Sequence, residues 1–154
     1  LYIKLKQRIG GLDTLMENKN ILFFLTPKSQ VAYCLDTFTL RQVVEKMDFH
    51  HYSAMPILNK KGKYIGAITE GDLLWTIREK NELNYQASEK IPLKEIKLRR
   101  TYNPVKISST LESLMDLIEN QNFVPVVDDN DIFIGIVTRK SVLKEFERQM
   151  KEEE

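Results

Sequence analysis

Two short stretches of this 154-residue chain place useful chemical groups where a helix would begin. Thr69-Glu70-Gly71-Asp72 follows the apolar run Tyr64 to Ile68, and Thr138-Arg139-Lys140-Ser141 follows Phe133 to Val137. A threonine between a strand-like run and an amphipathic one is a helix N-cap. Amides of the first turn lack intrahelical partners, and the terminus carries a partial charge of about +0.5. The amides of Glu70 and Gly71 therefore suit a phosphate. Gly71 lets a ligand come close, because it has no side chain. Thr69 can cap the helix and still donate its hydroxyl proton. Asp72, at the next turn, can accept two hydrogen bonds from ribose hydroxyls. The same residues also describe a plain cap, with Thr69 bonding an amide and Asp72 complementing the helix dipole.

The second copy differs in charge. Arg139 and Lys140 stand where the first copy has Glu70 and Gly71, and Ser141 replaces the acid. That half suits phosphate, while the first suits ribose. Lys28, Arg99 and Arg100 are further candidate cations, although any one of them also reads as a solvated surface charge. His50-His51 makes a poor metal pair, because adjacent residues in a strand point to opposite faces; one packed and one exposed is the expectation. Trp75 could stack on a base or cover the core or a dimer face. Cys34 has no evident activating base. There is no Ser-His-Asp set, no spaced metal ligands and no Gly-Lys-Ser/Thr phosphate loop. The expectation is a protein that is not an enzyme and needs no metal.

The elements that position these groups come as a duplication. Pro56-Ile57-Leu58-Asn59-Lys60-Lys61-Gly62-Lys63-Tyr64-Ile65-Gly66-Ala67-Ile68-Thr69 aligns without a gap on Pro125 to Thr138, 69 positions later. Each copy predicts a strand, a turn and a returning strand. Gly62 and Asp131 are placed to accept positive φ. The following helix has Leu73, Leu74 and Ile77 as its apolar face, or Val142, Leu143 and Phe146. Upstream, Thr39-Leu40-Arg41-Gln42 fits a capping box and is followed by the stripe Leu40, Val43, Val44, Met47. Ser109-Thr110-Leu111-Glu112 and Leu111, Leu114, Met115, Ile118 repeat the pattern. Val31 to Leu35 and Val105 to Ile107 are short leading strands. Each half is β-α-β-β-α, and the fold class is α+β.

The expected organisation is an N-terminal helical segment or extension at 1–21, with Tyr2, Leu5, Ile9 and Leu12 on one face. A first unit follows at 22–79, a charged connector at 80–99, a second unit at 100–149 and a charged tail at 150–154. In the connector, Ile91, Leu93, Ile96 and Leu98 are intermittently apolar and suggest a short helix packed over the pair. The composition is 42% hydrophobic and 29% charged, with a net charge of +1. Such balance argues against a nucleic-acid or membrane-surface footprint. The lone Cys34 forms no internal disulfide, so a cytoplasmic setting is expected. The longest apolar run, Ile21 to Leu25, is far short of the roughly 20 residues that span a bilayer.

A tandem β-α-β-β-α unit with a proline-led strand and a Gly-h-h-Thr helix cap (h apolar) resembles the CBS domain family, named for cystathionine β-synthase. Gly66-Ala67-Ile68-Thr69-Glu70-Gly71-Asp72 matches the family's Gly-h-h-Thr/Ser-x-x-Asp/Asn motif in full. Gly135-Ile136-Val137-Thr138-Arg139-Lys140-Ser141 matches all but the last position. The resemblance spans roughly 22–147. It implies two units packed as a pseudo-twofold pair with clefts at their junction, and a homodimer. It implies a regulatory module, of the kind called a Bateman module, that senses an adenine nucleotide such as AMP, ADP or ATP. Alternatives are a cyclic dinucleotide or S-adenosylmethionine, or a ligand-free dimerisation module. A fused or separate regulated protein is the implied partner. By the same resemblance, adenine would lie against Ser29, Val31 and Ala32 and against Ala54, Met55, Pro56 and Ile57. Thr69, Gly71, Asp72, Thr138, Arg139 and Lys140 would meet the rest of the ligand.

Overall fold

The computed structural model describes residues 19–80 and 84–152. The helix expected around Tyr2 to Leu12 lies outside them. In chain order the strands are β1 (Thr26–Pro27), β2 (Cys34–Leu35), β3 (Ala54–Leu58), β4 (Tyr64–Thr69), β5 (Val105–Lys106), β6 (Phe123–Val127) and β7 (Phe133–Thr138). The helices are α1 (Leu40–His50), α2 (Glu70–Lys80), α3 (Leu111–Asn120) and α4 (Arg139–Glu152). They form two compact units. Among the described residues, one comprises 32–80 and 84–102, and the other joins 19–31 to 103–152.

In the unit of residues 32–102, β2 runs parallel to β3, and β3 pairs antiparallel with β4. The parallel pairing needs a crossover, which α1 supplies. The helix starts where the capping box is written. Thr39 Oγ1 accepts from the Gln42 amide at 3.4 Å, and Gln42 Oε1 accepts from the Thr39 amide at 2.9 Å. Leu40, Val43 and Met47 are buried on its inner face. At the β3–β4 turn, Asn59 Oδ1 accepts from the amides of Lys61 (2.9 Å) and Lys63 (3.0 Å), and Gly62 takes φ 78°. Asparagine at the corner and glycine at the positive-φ position are what such a turn requires.

The connector belongs to this unit's core. Short 3₁₀ turns at Ala87–Lys90 and Leu93–Glu95 replace the single helix expected. Ile91, Leu93 and Ile96 are buried with Met47, Ile57 and Ile68. The backbone is tied in as well, with the Leu40 amide donating to Ile91 O and the Leu93 amide to Phe38 O, both at 2.8 Å. Beyond Ile96 the chain crosses β4. Leu98 Cδ1 lies 3.0 Å from where a side chain on Gly66 would start. The Tyr64 hydroxyl donates to Tyr102 O at 2.7 Å, and burial pushes that phenol's pKa up.

The other unit repeats this plan, with β5 parallel to β6, β6 antiparallel to β7, and α3 as the crossover. Even the irregularity is duplicated: the register shifts at Ile57/Leu58 in one hairpin and at Val126/Val127 in the other. Asp128 Oδ1 holds its turn through the amides of Asn130 (2.8 Å) and Ile132 (2.9 Å), with Asp131 at φ 62°. The α3 cap falls one residue later than expected. Thr110 Oγ1 accepts from the Ser113 amide at 3.2 Å. The short Ser113 side chain meets the Thr110 hydroxyl at 3.0 Å, so Glu112 plays no reciprocal part. The sheet gains a fourth strand from the head of the chain, because β1 pairs with β7 in the register Thr26↔Ile136 and Pro27↔Gly135. Ile21 and Phe24, in a preceding 3₁₀ turn, are buried in the same core.

Three expectations are corrected. Leu74 and Leu143 are not core residues; they are 59% and 49% exposed. In α2 the buried positions are Asp72, Leu73 and Thr76, a face rotated about one residue towards the cap. His50 and His51 are in no strand, and both are exposed. His50 ends α1, and His51 caps it in the left-handed conformation at φ 53°. His50 and His51 thus make a helix stop, which the second repeat, with Gln121 extended at φ −118°, lacks. The connector packs into the core of residues 32–102, as described above.

Gly66 and Gly135 occupy equivalent positions but face different neighbours. A Cβ on Gly135 would overlap the Thr26 carbonyl and lie 2.8 Å from Leu25 Cδ1 and 3.1 Å from Pro27 Cα. On Gly66 it would meet only the end of the Leu98 side chain. Gly135→Ala is therefore expected to destabilise by about 1–3 kcal/mol, the range for overpacking. Gly66→Ala is expected to cost less, because Leu98 can rotate away. Urea denaturation of the two variants side by side measures the difference.

Candidate functional site

The strand-to-helix corner at Thr69–Asp72 is held by a reciprocal cap. The Asp72 amide donates to Thr69 Oγ1 at 3.2 Å, and Asp72 Oδ2 accepts from the Thr69 amide at 2.9 Å and from its hydroxyl at 2.7 Å. Asp72 is buried, at 1% exposure. Its other oxygen, Oδ1, accepts from the backbone amide of Arg99 at 2.8 Å. Sequence reasoning missed this partner, and no local signal could have supplied it, since the donor is a main-chain group 27 residues away. The Glu70 amide, expected to be open to a phosphate, donates instead to Ser53 O at 3.0 Å. Gly71 is left unobstructed. A Cβ there would have only Thr69 Oγ1 at 3.7 Å and Trp75 Nε1 at 4.0 Å nearby.

Around this corner the candidate residues of the first repeat gather. Ala54 is the register partner of Thr69, and Met55, Pro56 and Ile57 follow it along β3. Met55, Pro56 and Ile57 are buried, and Ala54 and Ala32 are half-buried. Trp75 is 39% exposed. The guanidinium groups of Arg78 and Arg99 lie 5.5 and 5.9 Å from its ring centre. The Arg99 guanidinium also donates to Glu79, so this candidate cation is already paired. Arg100 is exposed.

The remaining candidates lie in the other unit. Lys28 and Ser29 form a 3₁₀ turn that packs on β7, and Val31 is buried just after it. At the end of β7, Thr138 Oγ1 accepts from the Ser141 amide at 3.1 Å, and the Ser141 hydroxyl donates back to Thr138 O at 2.8 Å. Serine thus closes the cap by a different route from aspartate and presents no carboxylate. Arg139 turns away from any anion: its Nε donates to Ile118 O at 2.9 Å and its Nη2 to Glu119 O at 3.2 Å. A cation bonded to the last carbonyls of α3 complements that helix's dipole. Lys140 is exposed and is the basic group this corner presents to solvent.

Other reactive groups are quiet. Cys34 is fully buried, and burial pushes its thiol pKa up to about 11, only slightly opposed by Lys46. At neutral pH it is a protonated core residue. Among the described residues no group of three or more histidine, cysteine or acidic side chains could hold a metal ion. No described helix is long and apolar enough to cross a membrane.

The Asp72 geometry carries a stability consequence. Truncating it orphans the Thr69 and Arg99 amides together, and an unmet buried donor costs about 1–3 kcal/mol. Asp72→Ala is therefore expected to destabilise the unliganded protein clearly. Ser141→Ala, which breaks one half-buried hydroxyl bond, is expected to cost about 1 kcal/mol or less. Chemical denaturation of each variant reads the contrast.

The CBS domain family model matches residues 23–79 and again 93–148. Among curated proteins, the uncharacterized protein MJ1225 of Methanocaldococcus jannaschii is 25% identical over 132 residues, covering 78% of this chain and 47% of that protein. The chain thus spans about half the length of this relative. Among solved structures, CbpB in complex with c-di-AMP superposes with a TM-score of 0.78 at 24% identity, covering 93% of this chain and 96% of that one. CBSX2 in complex with AMP gives a TM-score of 0.69 at 19% identity, covering 87% and 99%. With duplicated hairpins, duplicated Gly-h-h-Thr corners and a family match over both repeats, this chain belongs to the CBS domain family and carries two CBS domains in tandem.

Proposed function

We propose that the chain is a regulatory module that binds an adenine nucleotide, of the AMP or ATP type, at the Thr69–Asp72 corner. The observation that carries the reading is the corner itself. A helix N-terminus with an unobstructed glycine lies beside the Asp72 carboxyl group, whose Oδ1 accepts one amide, that of Arg99. The apolar edge of β3 adjoins it at Ala54 to Ile57, suited to a base. In this reading Thr69 and Asp72 meet ribose and Gly71 admits the ligand. Ala32 flanks the base, while Thr138 and Lys140, with Ser29 and Val31, are the corresponding candidates of the other unit. Arg139 supports α3 and takes no part in holding phosphate.

A cyclic dinucleotide is the second reading, favoured by the likeness to CbpB, whose structure holds c-di-AMP. Both ligands present adenine, ribose and phosphate, and the neighbour with AMP fits either. A homodimer belongs to the proposal too. Leu74 and Leu143, at equivalent positions of the two repeats, are solvent-facing leucines that a second copy would cover. The regulated protein is either a further part of a longer chain or a separate partner.

A thermal-shift and calorimetric panel of AMP, ADP, ATP, c-di-AMP and S-adenosylmethionine tests the reading. A specific ligand at a hundredfold its dissociation constant is expected to stabilise the protein by about 2.7 kcal/mol. Unmoved melting curves across the whole panel would sink it. Gly71→Gln is the cleaner site variant, because there is room for the side chain and the helix gains from losing a glycine, by up to about 1 kcal/mol. It is expected to melt no lower than the native chain while losing most of the nucleotide response.

A further inference from the structure

We infer that the segment Leu98–Arg100 is a strap over the nucleotide carboxylate, and that ligand binding displaces it. The inference rests on the reading of Asp72 as a ribose acceptor and concerns how that acceptor is reached. Asp72 is 1% exposed, so nothing in solution can touch it while its surroundings stay in place. Oδ2 already takes two donors from Thr69, and Oδ1 takes the Arg99 amide at 2.8 Å. The donor that reaches the carboxyl from outside the corner is the backbone amide of Arg99.

That backbone is held by contacts of the kind that release. On one side, Leu98 rests on Gly66 and is 36% exposed. On the other, the Arg99 guanidinium pairs with Glu79 and lies over Trp75, with both charged side chains more than a third exposed. Exposed ion pairs of this kind are worth about 0–1 kcal/mol. The anchors on either side are firmer: Ile96 is buried in the core, and Tyr102 O is held by Tyr64. A short span between two fixed points can lift without unfolding the unit. A ribose hydroxyl replacing the Arg99 amide on Oδ1 exchanges one hydrogen bond for another, so the swap is nearly balanced. The strap would then set the apparent affinity, since a site open a fraction of the time binds more weakly by that fraction. It also converts occupancy into a movement of the connector, a signal that a partner can read.

Two weakenings of the strap leave the Asp72 corner intact: Glu79→Gln, which removes the ion pair, and Arg99→Ala, which also removes the contact with Trp75. Both are expected to bind AMP or c-di-AMP, whichever binds the native chain, about threefold or more tighter by calorimetry. Hydrogen exchange at the Arg99 amide is expected to speed up on saturation with that nucleotide, while the Thr69–Asp72 amides slow down. Unchanged or weaker binding by Arg99→Ala would overturn the strap, weaker binding marking Arg99 as a ligand contact. Slower exchange at Arg99 on binding would overturn it equally. If the native chain binds no nucleotide, the Glu79→Gln/Arg99→Ala double variant decides between the two ideas. Binding by the double variant alone supports a strap that is closed. Silence from both removes the nucleotide reading, and the strap with it.

Discussion

A carboxyl group shut away from water has to find donors within the protein. At Asp72 three converge: the amide and hydroxyl of Thr69 on one oxygen, and the amide of Arg99 on the other. These bonds fix the end of β4, the start of α2 and the path of the connector across the sheet. Arg99 leads directly to Tyr102, tied to Tyr64, and from there the chain passes into the second repeat. The residue that most resembles a ligand-binding group is thus also the clasp of its own unit. In the proposed reading capping and binding are not rival roles for it, because a ligand would take over a bond that the protein makes to itself.

The second repeat shows what happens when the acid is absent. Ser141 closes its corner with the Thr138 carbonyl, and no distant amide is drawn in. Arg139 spends its guanidinium on the carbonyls at the end of α3. The crossing segment on that side is instead β1, which pairs with β7 by main-chain hydrogen bonds and presses on Gly135. The same backbone plan is therefore stabilised by a side-chain clasp in one copy and by a strand in the other.

The motif glycine illustrates how the two copies diverge under one pattern. In both it sits mid-strand, where a side chain would ordinarily stabilise the sheet. Its value is the space above it, which Leu98 fills in one copy and Leu25 with Thr26 in the other. Each crossing segment lies ahead of one repeat in sequence and packs on the other. Domain limits drawn by sequence similarity and compact units in space therefore differ at residues 23–31 and 93–102.

Much of the fold was legible because it depends on local rules repeated twice. The duplicated hairpin strands, a capping box at Thr39, turn residues at Asn59 and Asp128, and positive φ at Gly62 and Asp131 all follow from residues within a few positions of one another. Duplication tested each reading against its copy. The helix face was misjudged at Leu74 and Leu143, because hydropathy places leucine inside, while the buried positions lie nearer the cap, at Asp72, Leu73 and Thr76 in α2 and at Val142 in α4. The sequence by itself determined the repeat, the β-α-β-β-α plan of each half and the two Gly-h-h-Thr corners. Only the tertiary structure decided that Asp72 is covered, that Arg139 faces a helix end and that Glu70's amide is taken by Ser53. In each of those contacts at least one partner is a backbone group far along the chain, and backbone groups carry no mark in the sequence of whom they will meet.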